Sequence, residues 1–582
     1  MKKLTTQERI TKILSGSTFL GDAREKFAFG AAVLLLLNYN LTKSVVDRQF
    51  EAKYLKEAFM QDAQLTPQEF RFIFNDCLKS ALRGGTHKVF ELMLEFENDI
   101  ESLKEVIIQF NPAERRFDLY SPSLNTLALK ILCKVDDKED SLIDYCSGNA
   151  TLLSQAYVQN LATNLYGQET NGEFITNLKF KALGCTSYKI IKDNILEKPA
   201  FIGKHERLFL NFPTNTKVDT VGKIIDTNYS GLATLVKKHD ISRIFPDWKL
   251  VNILLNSLSD SGKAVAIMSV NRLTHSRDIL IREQLIKDGK IEAVIFLGNG
   301  IFKRSNMSAA MLVLSNGNKK VKLIDARNLV DSKDREQELS AENINQIEKW
   351  YLQSKSTDKY VVNLTQKQLA EKQFSINISD YIDPLEEYNF PNTATLDELV
   401  TVTRGGRFMD MNDDSNTYNS LLAKVSNIDD GKLNNLTGFN ISTIEKFSTY
   451  QIIKGDILLA AKGTQIKSAL VTEDYPLPVF ADQNIIVLRP KNNKINSYYL
   501  NALLNSSLGE KILKSAQHGD IVVSISPNKV REIKIPIYTM YIQEKLATVY
   551  ATTDHEINSL KEKLEQKQQL RDSLINELLN QK

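Results

Sequence analysis

The chain has 582 residues, 42% hydrophobic and 25% charged, which is the composition of a globular protein and excludes a fibre or a disordered tail. Lys and Arg number 74 against 71 Asp and Glu, and the resulting net charge of +3 neither supports nor excludes nucleic acid as a partner. The four cysteines form no CxxC pair, so the sequence suggests neither a disulfide framework nor a zinc site and favours a reducing cytoplasm.

The first 112 residues are predicted to form a helical domain, because apolar residues recur at helical spacing with few β-branched runs. Residues 27–37 are the longest apolar run, well short of the roughly 20 residues needed to cross a bilayer. We therefore expect a buried helix covered by neighbouring helices, with no signal peptide and no membrane span.

Residues 113–350 are predicted to form a Rossmann-like domain with a doubly wound sheet. Short apolar segments alternate there with helical stretches, and this alternation is typical of parallel α/β sheets. The predicted strands are residues 141–145, 208–210, 264–269, 293–297, 311–314 and 321–324.

The pattern changes twice after this domain. Residues 351–393 are polar and predicted to be a connector with short helices, whereas residues 394–540 contain short strands and turns. Residues 541–582 are predicted to form a long amphipathic helix capable of coiled-coil pairing, because no Gly or Pro interrupts the apolar spacing. Its apolar positions include Ile557, Leu560, Leu564, Leu570, Leu574 and Leu578.

Residues 144–150 favour a site for a nucleotide-like cofactor. A predicted strand ends in Asp144, and the small residues after it allow backbone N–H groups and a helix N-terminus to approach a ligand closely. Glu169 ends the next predicted strand, where a carboxylate can accept both hydroxyls of a ribose, as in dinucleotide sites. The alternative is a sheet of the same kind that binds no cofactor.

The segments 144–148 and 166–169 resemble the S-adenosylmethionine site of the amino-methylating DNA methyltransferases, specifically the methylase subunit of type I restriction-modification systems. The resemblance covers residues 110–330 and keeps the family's order of segments. It implies S-adenosylmethionine as the cofactor and adenine N6 as the methyl acceptor. The residues that it places at the cofactor are Tyr120, Ser121, Pro122, Asp144, Cys146, Ser147, Gly148, Glu169 and Asp193.

Two positions depart from the family's pattern. Ala150 replaces the last glycine of the turn, and its methyl group still permits close approach to a ligand if its φ is negative. In the catalytic segment Asn211-Phe212-Pro213-Thr214, threonine replaces the aromatic residue that stacks on a base flipped out of the duplex. The resemblance implies that the Asn211 side-chain oxygen and the Phe212 carbonyl still accept the two amine hydrogens.

Loss of the stacking ring leaves two interpretations of the catalytic segment. Base–aromatic stacking contributes roughly 1 to 3 kcal/mol per base, enough to slow turnover by about one or two orders of magnitude without abolishing it. The chain is then either a slow methyltransferase or a silent relative in which residues 211–214 are simply a strand-ending turn.

Residues 394–540 resemble one α+β target-recognition domain of a type I specificity subunit, through the segments 403–406, 454–458 and 482–484. This resemblance implies double-stranded DNA as a partner. For each predicted DNA contact taken alone, the alternative interpretation is a solvated surface residue. These contacts are Arg404, Arg407, Lys424, Lys462, Thr464, Gln465 and Lys467.

The final helix is similar to the helix that separates two recognition domains in specificity subunits. Because this chain has one such domain and one such helix, antiparallel pairing of two copies would give a homodimer that reads a bipartite site. The alternatives are a helical hairpin within the chain or docking onto a separate subunit.

The leading prediction is a sequence-specific DNA methyltransferase that modifies adenine N6 within a restriction-modification or phage-defence system. The alternative is a catalytically impaired subunit that recognises DNA and assembles with partners. The sequence shows no P-loop and no metal-ligand spacing, so a restriction or other defence subunit would be a separate chain and no metal is predicted.

Overall fold

The computed structural model divides the chain into two compact units, residues 1–378 and 379–582. Within the part of the chain that the structure describes, none of the helices is both long and apolar enough to cross a membrane. The described residues are 23–39, 57, 59–78, 96, 99–110, 122–133, 139–170, 173–195, 197–201, 203–211, 246–298, 300–302, 307–329, 331–333, 336–356, 360–382, 385, 388, 390–408, 418–429, 431–441, 444–463, 466–491, 494–517 and 523–580.

Among the described residues, the first unit combines helices with a large mixed sheet, and a π-helical segment, Arg71–Cys77, directly follows the helix Pro67–Phe70. The helices are α1 (Ala23–Asn38), α2 (Pro67–Phe70), α3 (Ile100–Gln109), α4 (Pro122–Leu132), α5 (Thr151–Val158), α6 (Glu173–Leu183), α7 (Pro246–Ser257), α8 (Val270–Thr274), α9 (Ile279–Lys287), α10 (Ala341–Leu352) and α11 (Gln366–Glu371). The strands are β1 (Glu139–Asp144), β2 (Ala162–Glu169), β3 (Tyr188–Lys192), β4 (His205–Asn211), β5 (Leu258–Ser269), β6 (Ile291–Leu297), β7 (Ala309–Leu314), β8 (Lys320–Ala326), β9 (Asp331–Lys333), β10 (Glu336–Glu338) and β11 (Val361–Thr365).

Among the described residues, nine strands form one sheet in the order β11-β8-β6-β7-β5-β4-β1-β2-β3. β7 pairs antiparallel with β5 and β6, and β11 pairs antiparallel with β8, whereas the other pairings are parallel. The chain passes from β1 outward to β3 and then returns to β4 on the opposite side of β1, as in a doubly wound sheet. This order agrees with the predicted fold, and each predicted strand overlaps an observed one.

The longest apolar run forms α1, and residues 27–36 of this helix are buried, as predicted. The helix packs against α3, the π-helical segment and α6. Several hydrogen bonds join α6 to the chain before residue 110. Asn38 Nδ2 donates to the Ala182 carbonyl at 2.7 Å, Lys179 Nζ donates to the Ile108 carbonyl at 3.0 Å, and Lys181 Nζ donates to Glu69 Oε2 at 2.7 Å. These helices therefore share one hydrophobic core with a helix of the sheet.

The second unit is built mainly from short strands. Within the described residues, its larger sheets have the orders β13-β23-β19-β21-β16-β15 and β17-β14-β22-β18. The helices are α12 (Leu396–Leu399), α13 (Ser497–Leu504), α14 (Ser507–Ala516), α15 (Pro527–Glu532) and α16 (Met540–Asn580). The strands are β12 (Thr393–Thr395), β13 (Val400–Arg404), β14 (Ser420–Ala423), β15 (Ile428–Asp429), β16 (Gly431–Leu433), β17 (Thr437–Phe439), β18 (Gln451–Ile452), β19 (Ile457–Ala460), β20 (Lys462–Gly463), β21 (Ser468–Leu470), β22 (Val479–Ala481), β23 (Ile485–Pro490), β24 (Val523–Ser524) and β25 (Lys534–Pro536).

The turn before β19 has the structural role predicted for it. Gly455 adopts φ +93°, which an L side chain rarely adopts. The buried Asp456 accepts the Ile453 N–H through Oδ2 at 2.9 Å, and both of its oxygens pair with Arg489, at 2.8 and 2.7 Å. Gly455 permits the turn, and the Asp456 carboxylate holds it against β23 by pairing with Arg489.

One expectation for the connector is wrong, because residues 361–365 form a strand rather than a helix or loop. This strand, β11, closes one edge of the nine-stranded sheet by pairing with β8. Val361 and Leu364 are buried, whereas the intervening positions are half-buried. The strand is short and lies between polar segments, and it supplies only these two residues to the core.

The long predicted helix is α16, and its first turns belong to the core of the second unit. Gln543 is fully buried, where its Oε1 accepts the Asn496 N–H at 2.8 Å and its Nε2 donates to the Tyr538 carbonyl at 2.7 Å. Ala547 joins the same hydrophobic core. Further along, apolar side chains such as Leu560 are exposed, at 64%.

Candidate functional site

The ends of four adjacent strands define the candidate site. β1 ends at Asp144, β2 at Glu169, β3 at Lys192 immediately before Asp193, and β4 at Asn211. Because the four strands are parallel neighbours in the order β3-β2-β1-β4, their carboxyl ends lie along one edge of the sheet. The winding direction reverses between β1 and β4, and open α/β sheets bind ligands at such a reversal.

Hydrogen bonds connect the turn after β1 to both β1 and β2. The buried Asp144 accepts the Cys146 N–H through Oδ1 at 3.2 Å, and the Ser147 N–H donates to the Gln168 carbonyl at 3.0 Å. Gly148 has φ +52°, and apart from its chain neighbours no atom of the described residues lies within 4 Å of where a Cβ atom would be. The backbone conformation therefore favours glycine, and the described residues leave the space in front of the turn open to a ligand.

Ala150 adopts φ +51° and ψ +37°, which lie in the left-handed region. The negative φ that close approach to a ligand was expected to require at Ala150 is therefore not observed. The residue has the left-handed conformation that a glycine would adopt. The side chain is fully buried among apolar residues, so it does not occupy the space in front of the turn. Alanine thus costs about 1 to 2 kcal/mol of backbone strain but leaves the ligand side open.

Glu169 is oriented by the two loops next to it. Its Oε2 accepts the Gly148 N–H at 2.9 Å, and its Oε1 accepts the Thr170 N–H at 2.7 Å and the Thr170 hydroxyl at 2.8 Å. These hydrogen bonds fix the orientation of the Glu169 carboxylate at the end of β2.

The charges at this edge favour a positively charged ligand. Burial, opposed by the Cys146 hydrogen bond and assisted by Glu169, raises the pKa of Asp144 to about 8. Burial and the same two carboxylates also raise the pKa of the Cys146 thiol. A cation bound here would offset the repulsion between the carboxylates. With the open space at Gly148, the residues fit a cationic, nucleoside-containing cofactor such as S-adenosylmethionine.

Asn211, the last residue of β4, is only 8% exposed. Within the described residues its Oδ1 has no hydrogen-bond partner, although buried side-chain oxygens nearly always have one. A buried acceptor of this kind at a ligand-binding edge is suited to a donor that a substrate brings. The rest of the predicted catalytic segment, Phe212, Pro213 and Thr214, lies outside the described residues.

The remaining predicted cofactor residues are only partly described. Pro122 is the first residue of α4, and Tyr120 and Ser121 lie outside the described residues. Asp193 follows β3 at the ligand edge, where its Oδ2 pairs with Lys198 Nζ at 3.4 Å. The structure therefore brings together Asp144 to Gly148, Glu169, Asp193 and Asn211.

The sequence pattern did not indicate a role for two buried polar residues of the site, Tyr145 and Gln168. The Tyr145 hydroxyl lies 2.8 Å from Ser257 Oγ and 3.2 Å from the Phe201 carbonyl. Gln168 is fully buried and forms three hydrogen bonds with the loop after β3. A long polar side chain next to the last residue of a buried strand is a signal that could have identified Gln168.

In the second unit, the two predicted arginine contacts are exposed at the end of β13. Arg404 Nε donates to the Gln483 carbonyl at 2.8 Å, and the next residue, Asn484, accepts the Ala461 N–H at 2.6 Å. Arg404 therefore lies beside the segment that carries Lys462, which is also exposed. The predicted contacts Arg407 and Lys424 are exposed and half-buried, and Thr464 and Gln465 lie outside the described residues.

Lys467 lines a polar groove with a volume of about 350 Å³. Its Nζ pairs with Asp429 at 3.1 Å, and both side chains are exposed to solvent. Asn427, Asn434 and Asn435 line the same groove. Amide and ammonium groups of this kind can donate to base edges or to phosphates, which agrees with the predicted role of the unit.

Comparison with known families and proteins divides the chain at almost the same place. Residues 107–390 match the N-6 DNA methylase family, and residues 392–568 match the type I restriction modification DNA specificity domain. The methylase subunit of the type I restriction enzyme MjaVIII from Methanocaldococcus jannaschii is 26% identical over 285 residues, 44% of this chain and 48% of that protein. A protein described as the MjaX specificity subunit of the same organism is 26% identical over 175 residues, 29% of this chain and 41% of that protein. The chain thus spans less than half the length of either relative.

Among solved structures, the type I restriction-modification system methyltransferase subunit from Streptococcus thermophilus is 18% identical to this chain. The TM-score is 0.46, over 59% of this chain and 79% of that one.

A doubly wound sheet with two carboxylates and an amide acceptor at its ligand edge defines a Rossmann-like domain of the kind that binds nucleoside cofactors. The family matches indicate which proteins within this cofactor-binding class the chain is similar to. Residues 107–390 are similar to the N-6 DNA methylase family, and residues 392–568 are similar to the type I restriction modification DNA specificity domain. S-adenosylmethionine is the cofactor that similarity to the methylase family implies.

Proposed function

We propose that the protein transfers a methyl group from S-adenosylmethionine to N6 of adenine in double-stranded DNA, as part of a cytoplasmic restriction-modification or phage-defence system. The observation that carries the proposal is the side-chain oxygen of Asn211, which is buried and lacks a partner among the described residues. It stands at the edge of the sheet where the neighbouring strands end in Asp144 and Glu169. The N-6 DNA methylase family match supports the same reaction.

The residues at this edge would bind the cofactor through charge and hydrogen bonding. S-adenosylmethionine supplies a methyl group on a positively charged sulfur. The Glu169 carboxylate attracts that positive charge, and a bound cation in turn favours ionisation of Asp144, whose pKa burial raises to about 8. Glu169 would also accept hydrogen bonds from ribose hydroxyls, as carboxylates do at this position of dinucleotide sites. Asp193, at the end of the next strand, would face the adenine ring, as the family resemblance implies.

The acceptor residues address the main chemical difficulty of the reaction. The exocyclic amine of adenine is a poor nucleophile because its lone pair is delocalised into the ring. Asn211 Oδ1 would accept one amine hydrogen, and the Phe212 carbonyl, by resemblance, would accept the other. Two fixed acceptors localise the lone pair on nitrogen as the methyl group is transferred.

The second candidate function is a methyltransferase-like subunit that recognises DNA and assembles with partners but does not methylate. Thr214 favours this alternative, because it stands where the family has the aromatic residue that stacks on the flipped base. The Asn211 side chain favours the enzyme, because its oxygen has no partner among the described residues and lies at the ligand edge of the sheet, where the family has its amine acceptor.

The second unit would supply DNA recognition and dimerisation. Arg404, Arg407, Lys462 and Lys467 are the described candidates for contacts to DNA. Beyond its core-packed turns, α16 exposes Ile557, Leu560, Leu564, Leu570 and Leu574, with exposed fractions between 45% and 64%. Antiparallel pairing of two copies would cover these side chains and give a two-fold dimer. A restriction subunit would be a separate chain.

Sequencing of DNA from cells with and without the protein tests the proposal directly. We expect N6-methyladenine at a defined sequence with the native chain, and none with Asn211→Ala. The matched control is Asn252→Ala, which removes a buried asparagine side chain from α7 and should keep methylation. Both variants should still bind S-adenosylhomocysteine in calorimetry. Absence of methylation by a native chain that binds the cofactor product would overturn the enzyme in favour of the second candidate.

A further inference from the structure

We infer that Gln168 is a positioning residue, which holds the loop of residues 193–201 against the end of β2 and so fixes the adenine side of the cofactor site relative to the ribose side. The inference rests on the proposed function, because it concerns recognition of the cofactor. It gives a role to a residue that neither binds the cofactor nor takes part in methyl transfer.

The contacts of Gln168 span the loop. Its side chain is fully buried, and Nε2 donates to the Lys198 carbonyl at 2.8 Å and to the Asp193 carbonyl at 3.3 Å. Its Oε1 accepts the Ala200 N–H at 2.8 Å. The amide orientation is determined by these partners, because only the oxygen can accept and only the nitrogen can donate. One side chain thus satisfies three backbone groups of a single loop.

The position of Gln168 in the chain connects these contacts with the proposed cofactor site. The residue after it is Glu169, the proposed ribose acceptor, and the loop that it holds begins with Asp193, the proposed adenine contact. Any movement of the loop therefore changes the distance between the two contacts. The hydrogen bonds of the Gln168 amide therefore affect the affinity of a ligand that contacts both Asp193 and Glu169, although Gln168 does not contact that ligand.

The loop has independent attachments at its other end. The Phe201 carbonyl lies 2.9 Å from His205 Nε2 and 3.2 Å from the Tyr145 hydroxyl, and the Phe201 ring packs against Tyr166 with centroids 5.3 Å apart. These contacts hold the approach to β4 without Gln168. Loss of the amide should therefore release residues 193–200 while β4 and the rest of the sheet remain folded.

Calorimetry on the full chain tests the inference with two probes, S-adenosylhomocysteine and S-inosylhomocysteine, which differ only in the base. Gln168→Met keeps the length of the side chain and removes its hydrogen bonds. We expect about tenfold weaker binding of the adenosyl probe and a smaller loss for the inosyl probe, so that discrimination between the bases falls. Tyr157→Phe is the matched control, because it removes a side-chain hydrogen bond to the Gly184 carbonyl, away from this loop. It should leave both affinities unchanged.

A purely structural role would lower both affinities equally, and an unchanged ratio between the two probes would overturn the inference. Gln168→Glu provides a second test if the methionine variant does not fold. Its carboxyl group still accepts the Ala200 N–H but can donate at most one hydrogen, so the loss of discrimination should be intermediate. A native chain that binds neither probe would overturn the proposed function together with this inference. Binding by the native chain with full discrimination in both variants would overturn the inference alone.

Discussion

Replacing Ala150 with glycine tests the left-handed backbone of the cofactor turn through the free energy of unfolding. Glycine would remove about 1 to 2 kcal/mol of strain, because φ is +51° at a residue with a Cβ atom. The change also loses a buried methyl group, about 0.8 kcal/mol, and adds about 0.4 to 1 kcal/mol of entropy to the unfolded chain. These contributions nearly cancel, so Ala150→Gly should alter the stability by less than about 1 kcal/mol.

Ala156→Gly is the matched control for this prediction. Ala156 is also fully buried in the same hydrophobic core, but it lies inside α5 with helical backbone angles. Glycine relieves no strain there, loses the same methyl group and costs about 0.5 to 1 kcal/mol in a helix interior. The expected destabilisation is about 1.3 to 1.8 kcal/mol.

Urea unfolding followed by tryptophan fluorescence measures both variants. The chain has two tryptophans, Trp248 and Trp350, and both belong to the first unit, so the signal reports the unit that contains Ala150. Equal destabilisation by the two substitutions would show that Ala150 has ordinary backbone angles and that the turn stores no strain.

Three further predictions concern other parts of the molecule. The pKa of Asp144, raised by burial from 3.8 to about 8, means that the folded state keeps a proton that the unfolded chain loses. The free energy of unfolding should therefore fall as the pH rises between these values, and Asp144→Asn should flatten that dependence in urea titrations. Asp456→Ala should destabilise the second unit by about 1 to 3 kcal/mol in thermal unfolding, because it removes a buried hydrogen-bond acceptor and the partner of the half-exposed Arg489. Asp429→Ala, which breaks only an exposed pair, should change it by less than about 1 kcal/mol. Ending the chain after Glu556 keeps Gln543 and Ala547 in the core and should yield monomers in sedimentation, whereas an unchanged dimer mass would contradict pairing through α16.

The sequence predicted the sheet well because its signals are local. Buried parallel strands appear as short apolar runs, and the carboxylate of Asp144 directly follows the apolar residues of β1. The strand at residues 361–365 was missed for the opposite reason. An edge strand that contributes two side chains to the core, Val361 and Leu364, is hard to tell from a polar connector by pattern alone.

Other details of the site could not be predicted because they depend on contacts between distant parts of the chain. The φ of Ala150 is set by the way the turn joins β1 to α5, and an alanine in the sequence gives no sign of it. The role of Gln168 depends on a loop that begins 25 residues later, as the hydrogen bond to Asp193 shows. The first turns of α16 look like free amphipathic helix, although Gln543 is buried against residues near 496.

The packing of α1 has a consequence for synthesis of the chain on the ribosome. Residues 27–36 are buried partly against α6, and Asn38 bonds to Ala182, 144 residues further along the chain. At about 5 to 20 residues per second, α6 is completed roughly 7 to 30 seconds after α1 leaves the ribosome. During that interval the most apolar helix of the protein lacks part of its covering surface. Nascent chains that stop short of Leu183 should therefore bind chaperones at α1, and chains that extend past it should bind them less at this helix.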